Sequence, residues 1–178
     1  MADVYAGQNY IDSRDLIKTV EEMRDNIDSL RDDLEEVNTS ITDDENEIDE
    51  LEGRISELDA EEDEDEIDEL ENDKSGLEEE IEDLALRRDE LQDEIDDAEE
   101  EIKPFEEFME SVENYCSDFH YGATIIHDSV FEDYARELCE DQIGDIPDWV
   151  VIDWDATADG IKVDYSCVEF DGDEYWVR

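Results

Sequence analysis

The chain has 178 residues, of which 65 are Asp or Glu and 12 are Lys or Arg, a formal net charge of −53. Charge of that sign opposes direct binding to nucleic acid or an anionic membrane, and its self-repulsion penalises the compact state, so solubility alone does not account for it. No apolar run approaches the roughly 20 residues a membrane span requires, and the start, MADVYAGQNYID, lacks the basic and apolar regions of a signal peptide; a soluble cytoplasmic protein is expected.

Residues 1–11 read as an N-terminal arm, followed by an acidic coiled coil over 12–114. From Leu16 the apolar positions are Val20, Met23, Ile27, Leu30, Leu34, Val37 and Ile41, then Ile48, Leu51, Ile55 and Leu58, alternating by four and three. That alternation is a coiled-coil seam. Asp44 interrupts it, and Asn38, Thr39 and Thr42 are weak helix formers, so a bend or break is expected there. A second seam, out of phase with the first, runs through Ile67, Leu70, Leu77, Ile81, Leu84, Leu91, Ile95, Ala98, Ile102 and Phe105, with Lys74 and Arg88 in core register.

Between the seams, Asp59 to Glu66 has no apolar residue larger than Ala until Ile67 and reads as a solvated tip at about 60–66. The arms are then about 12–59 and 66–103 and pair as a helical hairpin. Two other arrangements remain open: Ser75-Gly-Leu-Glu78 has the form of a capping box that would start a separate helix, and a parallel dimer of one long helix would also bury both seams. Pro104 is expected to end or kink the second arm.

Arg14, Arg24, Arg31, Arg54 and Arg87 offer pairs between facing arms, while the outward positions are almost purely acidic. Residues 12 to 103 hold 43 acids and nine bases, a net of −34. Along an arm of about 72 Å that is about one charge per 2.1 Å, against about 1.7 Å for B-DNA. Surface acids at this density would condense counterions as phosphates do.

The texture changes after Tyr115, and all three Trp lie beyond residue 145. A small α+β module is expected over 115–178, because aromatic burial can offset chain entropy there. Asp128-Ser129 is placed to cap a helix carrying Val130, Phe131, Tyr134, Ala135 and Leu138, ended by Gly144 and Pro147. Asp153 is placed to cap a short helix through Ala158, with Gly160 as its stop. Tyr165-Ser-Cys-Val-Glu-Phe170, the turn Asp171-Gly172 and Glu174-Tyr-Trp-Val-Arg178 read as a terminal β-hairpin. The fold class is therefore mostly α: a long acidic coiled-coil hairpin followed by a small α+β domain.

This module resembles the ArdA family of plasmid and phage antirestriction proteins. The resemblance lies in Tyr121-Gly122 with Thr124-Ile-Ile-His127, Phe131-Glu-Asp-Tyr-Ala-Arg-Glu-Leu138, Ile152-Asp-Trp154, Asp164-Tyr-Ser-Cys-Val-Glu-Phe-Asp-Gly172 and Tyr175-Trp-Val-Arg178, about a third of the chain. It implies an elongated acidic DNA mimic that occupies the DNA-binding groove of a type I restriction-modification enzyme, commonly as a dimer. Where the family continues its short helix with a basic-acidic-Leu sequence, this chain has Asp159-Gly160-Ile161, and the long coiled coil is not a feature of the family.

Catalytic and metal chemistry have little to stand on. Acidic pairs are guaranteed among 65 carboxylates, whereas catalytic carboxylates need a shielded pocket that shifts their pKa values. Cys116, Cys139 and Cys167 are too widely spaced for a disulfide framework, and Cys116-x3-His120 with His127 lacks a fourth ligand for zinc. Asp155 to Gly160 has half the form of a calcium loop, but Ser166 stands where a bidentate Glu is needed and Lys162 lies inside. His120 and His127 read as partly buried structural residues, and Tyr134, Trp149 and Trp154 as core. No cofactor and no enzymatic activity are expected.

The expected function is inhibition by mimicry, with outward acids replacing phosphates in the basic groove of a host restriction or other DNA-processing or defence protein. The candidates are Asp28, Asp32, Glu35, Glu36, Asp49 and Glu50 on the first arm, and Asp68, Glu69, Glu82, Asp83, Asp89, Asp93, Asp96 and Asp97 on the second. A homodimer is left open. The alternatives are a coiled-coil scaffold, an acidic chaperone of basic proteins, and adaptation to high salt, since the last 58 residues also carry sixteen acids against three bases.

Overall fold

The computed structural model describes residues 4–59, 62–144 and 149–178. In order, the elements are β1 (Tyr10–Asp12), α1 (Ser13–Glu57), α2 (Glu64–Tyr115), α3 (Phe119–Gly122), β2 (Thr124–His127), a 3-10 turn (Asp128–Val130), α4 (Phe131–Ile143), α5 (Trp154–Lys162), β3 (Ser166–Phe170) and β4 (Asp173–Val177). Two compact units result, one of Asp25–Glu99 and one of Met1–Arg24 with Glu100–Arg178. These contacts draw lines at places other than 11/12 and 114/115, where composition changes.

The unit of Asp25–Glu99 is an antiparallel helical pair. Ile27, Leu51, Leu70, Leu91 and Ile95 are its buried seam residues, with the remaining heptad positions half-buried apart from Arg88, which turns out to Asp89 at 2.8 Å. Arg31 reaches Glu99 at 2.6 Å and Lys74 reaches Glu52 at 2.5 Å, so the two helices of a single chain face each other. The hairpin forms, rather than a parallel dimer of one long helix.

α1 runs unbroken through Asp44, and the hydroxyls of Thr39, Ser40 and Thr42 turn back onto the carbonyls of Glu35, Glu36 and Asn38. The expected break is absent because those side chains satisfy their polar atoms within the helix instead of competing with it. Ser75 also starts no new helix, since α2 is continuous there. The tip is shorter than expected, with α2 beginning at Glu64; Glu64, Asp65 and Glu66 in its first turn favour the positive helix end. Ala60 and Glu61 of that tip, and Pro147, lie outside the described residues.

The other unit is built on an antiparallel sheet of order β1-β2-β4-β3. The terminal hairpin is as expected: Phe170 pairs with Asp173 across Asp171 and Gly172, whose φ angles of 50° and 88° match the tight turn that follows strand twist. Tyr10, Ile11 and Asp12 pair with Ile126, Ile125 and Thr124, drawing the end of the N-terminal arm into the sheet. Ser13, fully buried, anchors this junction by donating from Oγ to the Phe119 carbonyl at 2.5 Å and accepting from Ala123 N–H at 2.8 Å.

One sheet face meets α2. Phe108 stacks on Phe170 with centroids 4.5 Å apart and lies 5.4 Å from Tyr175, while Phe105 meets Phe170 edge-on at 5.1 Å. Of the two outcomes expected at Pro104, an end or a kink, these contacts explain why the first does not occur: α2 continues past it to Tyr115. The ring removes one hydrogen bond, whereas the turns beyond it bury Phe108 and Val112 completely.

The opposite face carries Ile126, Phe131, Ala135 and Ala158, with Tyr134, Ile161, Tyr165 and Trp176 packed around them. Gly144 ends α4 as expected, with φ of 81° and its N–H on the Glu140 carbonyl. The cap of this segment is different: His127 Nδ1 accepts from Ser129 N–H at 3.1 Å, leaving Asp128 free for another task. Asp153 does cap α5, accepting from Ala156 N–H at 3.1 Å, but Gly160 lies inside the helix, which runs to Lys162 because Ala158 and Ile161 still face the core.

Candidate functional site

All fourteen acids expected to stand in for phosphates fall in the Asp25–Glu99 unit, and every one is exposed. The heptad dictates this. With Ile27, Leu34, Ile48, Ile67, Ile81 and Ile95 at position a, the fourteen occupy b, c and f, the positions farthest from the seam. Along α1 and α2 the b and c acids recur as doublets, as in Glu35-Glu36, Asp49-Glu50, Asp68-Glu69, Glu82-Asp83 and Asp96-Asp97. Successive heptads place them about 10.5 Å apart at about 1.5 Å per residue.

The unit holds 37 acids and five bases, a net of −32. Its longer arm, residues 64 to 99, spans about 54 Å, so the line density is about one charge per 1.7 Å, equal to the B-DNA value. This exceeds the density read from the whole coiled coil because only five of the nine bases between 12 and 103 fall within these 75 residues, while Arg14, Lys18, Arg24 and Lys103 lie in the flanking segments 12–24 and 100–103.

The five bases do not interrupt the field. Arg31 bridges to Glu99, Lys74 to Glu52 and Glu78, and Arg54 to Glu66, the last at 4.0 Å. Arg87 and Arg88 pair along their own helix, with Glu90 and Glu94 and with Asp89. The hydrogen bond that Lys74 donates to Glu52 holds its ammonium above the ordinary range. Of the five arginines expected to join the arms, Arg24, Arg31 and Arg54 do so; Arg14 instead forms a fork with Asp12, and Arg87 stays on α2. Among the fourteen acids, Asp28 and Asp89 each meet an arginine and Asp96 accepts from Gln92 at 2.9 Å.

Among the described residues of the sheet unit no comparable constellation appears. Lys162 lies 4.9 Å from the Trp176 ring centroid and bonds Asp128, which also accepts the Trp176 indole N–H at 2.8 Å. Those two bonds hold the Asp128 carboxyl below its ordinary range. Tyr165 is pushed up to about 12 by burial and by its hydroxyl contact with Tyr134 at 2.7 Å. Both sets close on themselves and hold the α4–α5 layer to the sheet. Sequence periodicity has no signal for either, since the partners are 31 to 48 residues apart.

Two residues depart from the core and structural roles expected of them. Trp149 is 83% exposed. His120 is exposed as well, its Nε2 3.1 Å from Glu113, because it sits on the outer side of the one-turn α3 whose buried residue is Phe119. Tyr134 and Trp154 are half-buried, the latter under the Arg136 guanidinium at 5.3 Å. Cys116 is buried and donates to the Arg178 carbonyl at 3.2 Å, and Asp155 to Gly160 is helical rather than a loop. Among the described residues no three His, Cys, Asp or Glu side chains are grouped to hold a metal ion, and no helix is long and apolar enough to cross a membrane. Neither a family model, nor a curated protein, nor a solved structure matches the chain.

Proposed function

We propose that this chain is a non-enzymatic DNA mimic, phage- or plasmid-borne, whose acidic hairpin occupies the DNA-binding groove of a host restriction or other DNA-processing or defence protein. The observation that carries this reading is the hairpin's charge: a net of −32 on residues 25–99, at a line density equal to that of duplex DNA, with all five bases already paired. A basic groove that releases counterions from DNA would release them from this surface for the same reason. The sheet unit would then supply shape specificity or dimerisation.

The test is binding to a type I restriction-modification enzyme, the target class its resemblance to ArdA suggests, at 50 to 200 mM salt with and without duplex DNA. A mimic making roughly 6–10 phosphate-like contacts loses about 10³–10⁵ in affinity over that range and is displaced by the duplex. Association indifferent to both salt and DNA would refute mimicry of this target and favour a scaffold. Asn and Gln replacements separate a mimic from a nonspecific charge sponge. By heptad position, Asp28, Glu35, Asp89 and Asp96 share the face of the Arg31–Glu99 pair, and Glu36, Glu50, Asp83 and Asp97 the opposite one. Unequal losses from neutralising the two sets are expected; equal losses argue for the sponge.

A further inference from the structure

We propose that Trp149-Val150-Val151 is an apolar anchor for a basic amphipathic segment of a partner protein. In the sheet unit Tyr175, Phe108, Phe119 and Phe131 are at most 2% exposed, while Tyr121, Ile143 and Val163 are exposed singly along the chain, so Trp149-Val150-Val151 stands out as three consecutive exposed apolar residues. Trp149 and Val151, at 83% and 96%, stand in water immediately before the Asp153 cap of α5. The other two indoles are engaged, Trp176 with Asp128 and Lys162 and Trp154 with Arg136. A tryptophan beside two β-branched side chains is poorly spent on solvent and well suited to a contact, where Trp is among the residues most often carrying binding energy.

The surroundings select the occupant. From Glu137 to Ile161 the chain has no Lys or Arg, and Glu140, Asp141, Asp153 and Asp155 are exposed. The bases flanking this stretch are both engaged, Arg136 over Trp154 and with Glu132, and Lys162 with Asp128. A second copy would bring the same acids and another net charge of −53 to the contact, and nucleic acid or an anionic bilayer is repelled in the same way. The surface therefore fits a segment with Leu, Ile or Phe on one side and Lys or Arg around it.

This inference rests on the reading of a basic partner, to which it adds a different kind of contact. Binding through exposed carboxylates fades as salt screens it, whereas apolar burial does not, so the anchor retains a partner at salt concentrations that defeat the acidic surface. The probe is a labelled amphipathic Leu/Lys helical peptide, with oligolysine of equal charge as control, followed by fluorescence anisotropy at low salt and at about 1 M salt, where the screening length is about 3 Å. The amphipathic peptide should remain bound at high salt with a blue shift in tryptophan emission, and oligolysine should be released.

Trp149→Ala and Val151→Ser should each weaken the salt-resistant binding by about 10-fold or more while leaving low-salt oligolysine binding unchanged. Both side chains are exposed, so these variants keep the fold, which far-UV circular dichroism checks. Complete release of the peptide at high salt, or a loss of less than about 2-fold in both variants, overturns the anchor. Failure of duplex DNA to compete for a hairpin-bound partner would overturn the mimic reading and leaves this measurement intact.

Discussion

Replacing Pro104 by Ala should stabilise the sheet unit, although the residue is half-buried next to its aromatic core. Pro104 lies within α2, with forty residues of the helix before it and eleven after. An interior proline is about 3 kcal/mol less favourable than alanine. Removing its ring forfeits about two methylenes, worth about 0.8 kcal/mol each if fully buried and about half that here. The net expectation is a gain of about 2 kcal/mol.

The companion change, Phe108→Ala, removes a side chain 1% exposed that stacks on Phe170 and touches Tyr175, and should cost about 3–5 kcal/mol. Urea unfolding followed by tryptophan emission reports this unit, because all three Trp belong to it. Opposite signs for the two variants are the signature of a helix held past its proline by aromatic packing. A Pro104→Ala variant destabilised by about 1 kcal/mol or more would refute the reasoning, since the ring itself would then be needed.

Two further outcomes test the electrostatics. Between about 10 mM and physiological salt the melting temperature should rise, because screening over about 8 Å relieves like-charge pairs at i,i+3 and i,i+4, each costing about 0.2–0.5 kcal/mol, which far outnumber the hairpin's attractive pairs; a falling melting temperature contradicts this. Asp128→Asn should destabilise the protein at neutral pH by leaving Lys162 without its carboxylate. Since the folded Asp128 carboxyl titrates below its ordinary value of 3.8, its contribution is present above that value and fades as pH falls through the depressed one. Melting curves of the two proteins should therefore converge as the pH is lowered well below 3.8, and a difference that persists unchanged there would show that charge is not its source.

The hairpin was legible in sequence because its organising interaction is local and periodic. Leu51, Leu70, Leu91 and Ile95 were placed in the seam by spacing alone, and the same spacing put the fourteen acids outside. The terminal β-hairpin was equally readable, since Asp171-Gly172 specifies its turn without reference to the rest of the chain.

What spacing missed was decided by partners distant in the chain. Pro104 signals a helix end, yet Phe170 and Tyr175 lie more than sixty residues further on and reward the turns that follow it. Asp128 has the chemistry of a cap, but Lys162 and Trp176 claim its carboxylate and His127 takes over the capping. Gly160 reads as a stop until Ile161 has a core to face. The sequence by itself determined the charge, its sign, and the side of each helix on which it lies, all consequences of composition and a seven-residue repeat. Tertiary structure decided which bases are neutralised across the arms, where α2 ends, and that Trp149 is left in water, because each depends on which surfaces meet once the chain has closed on itself.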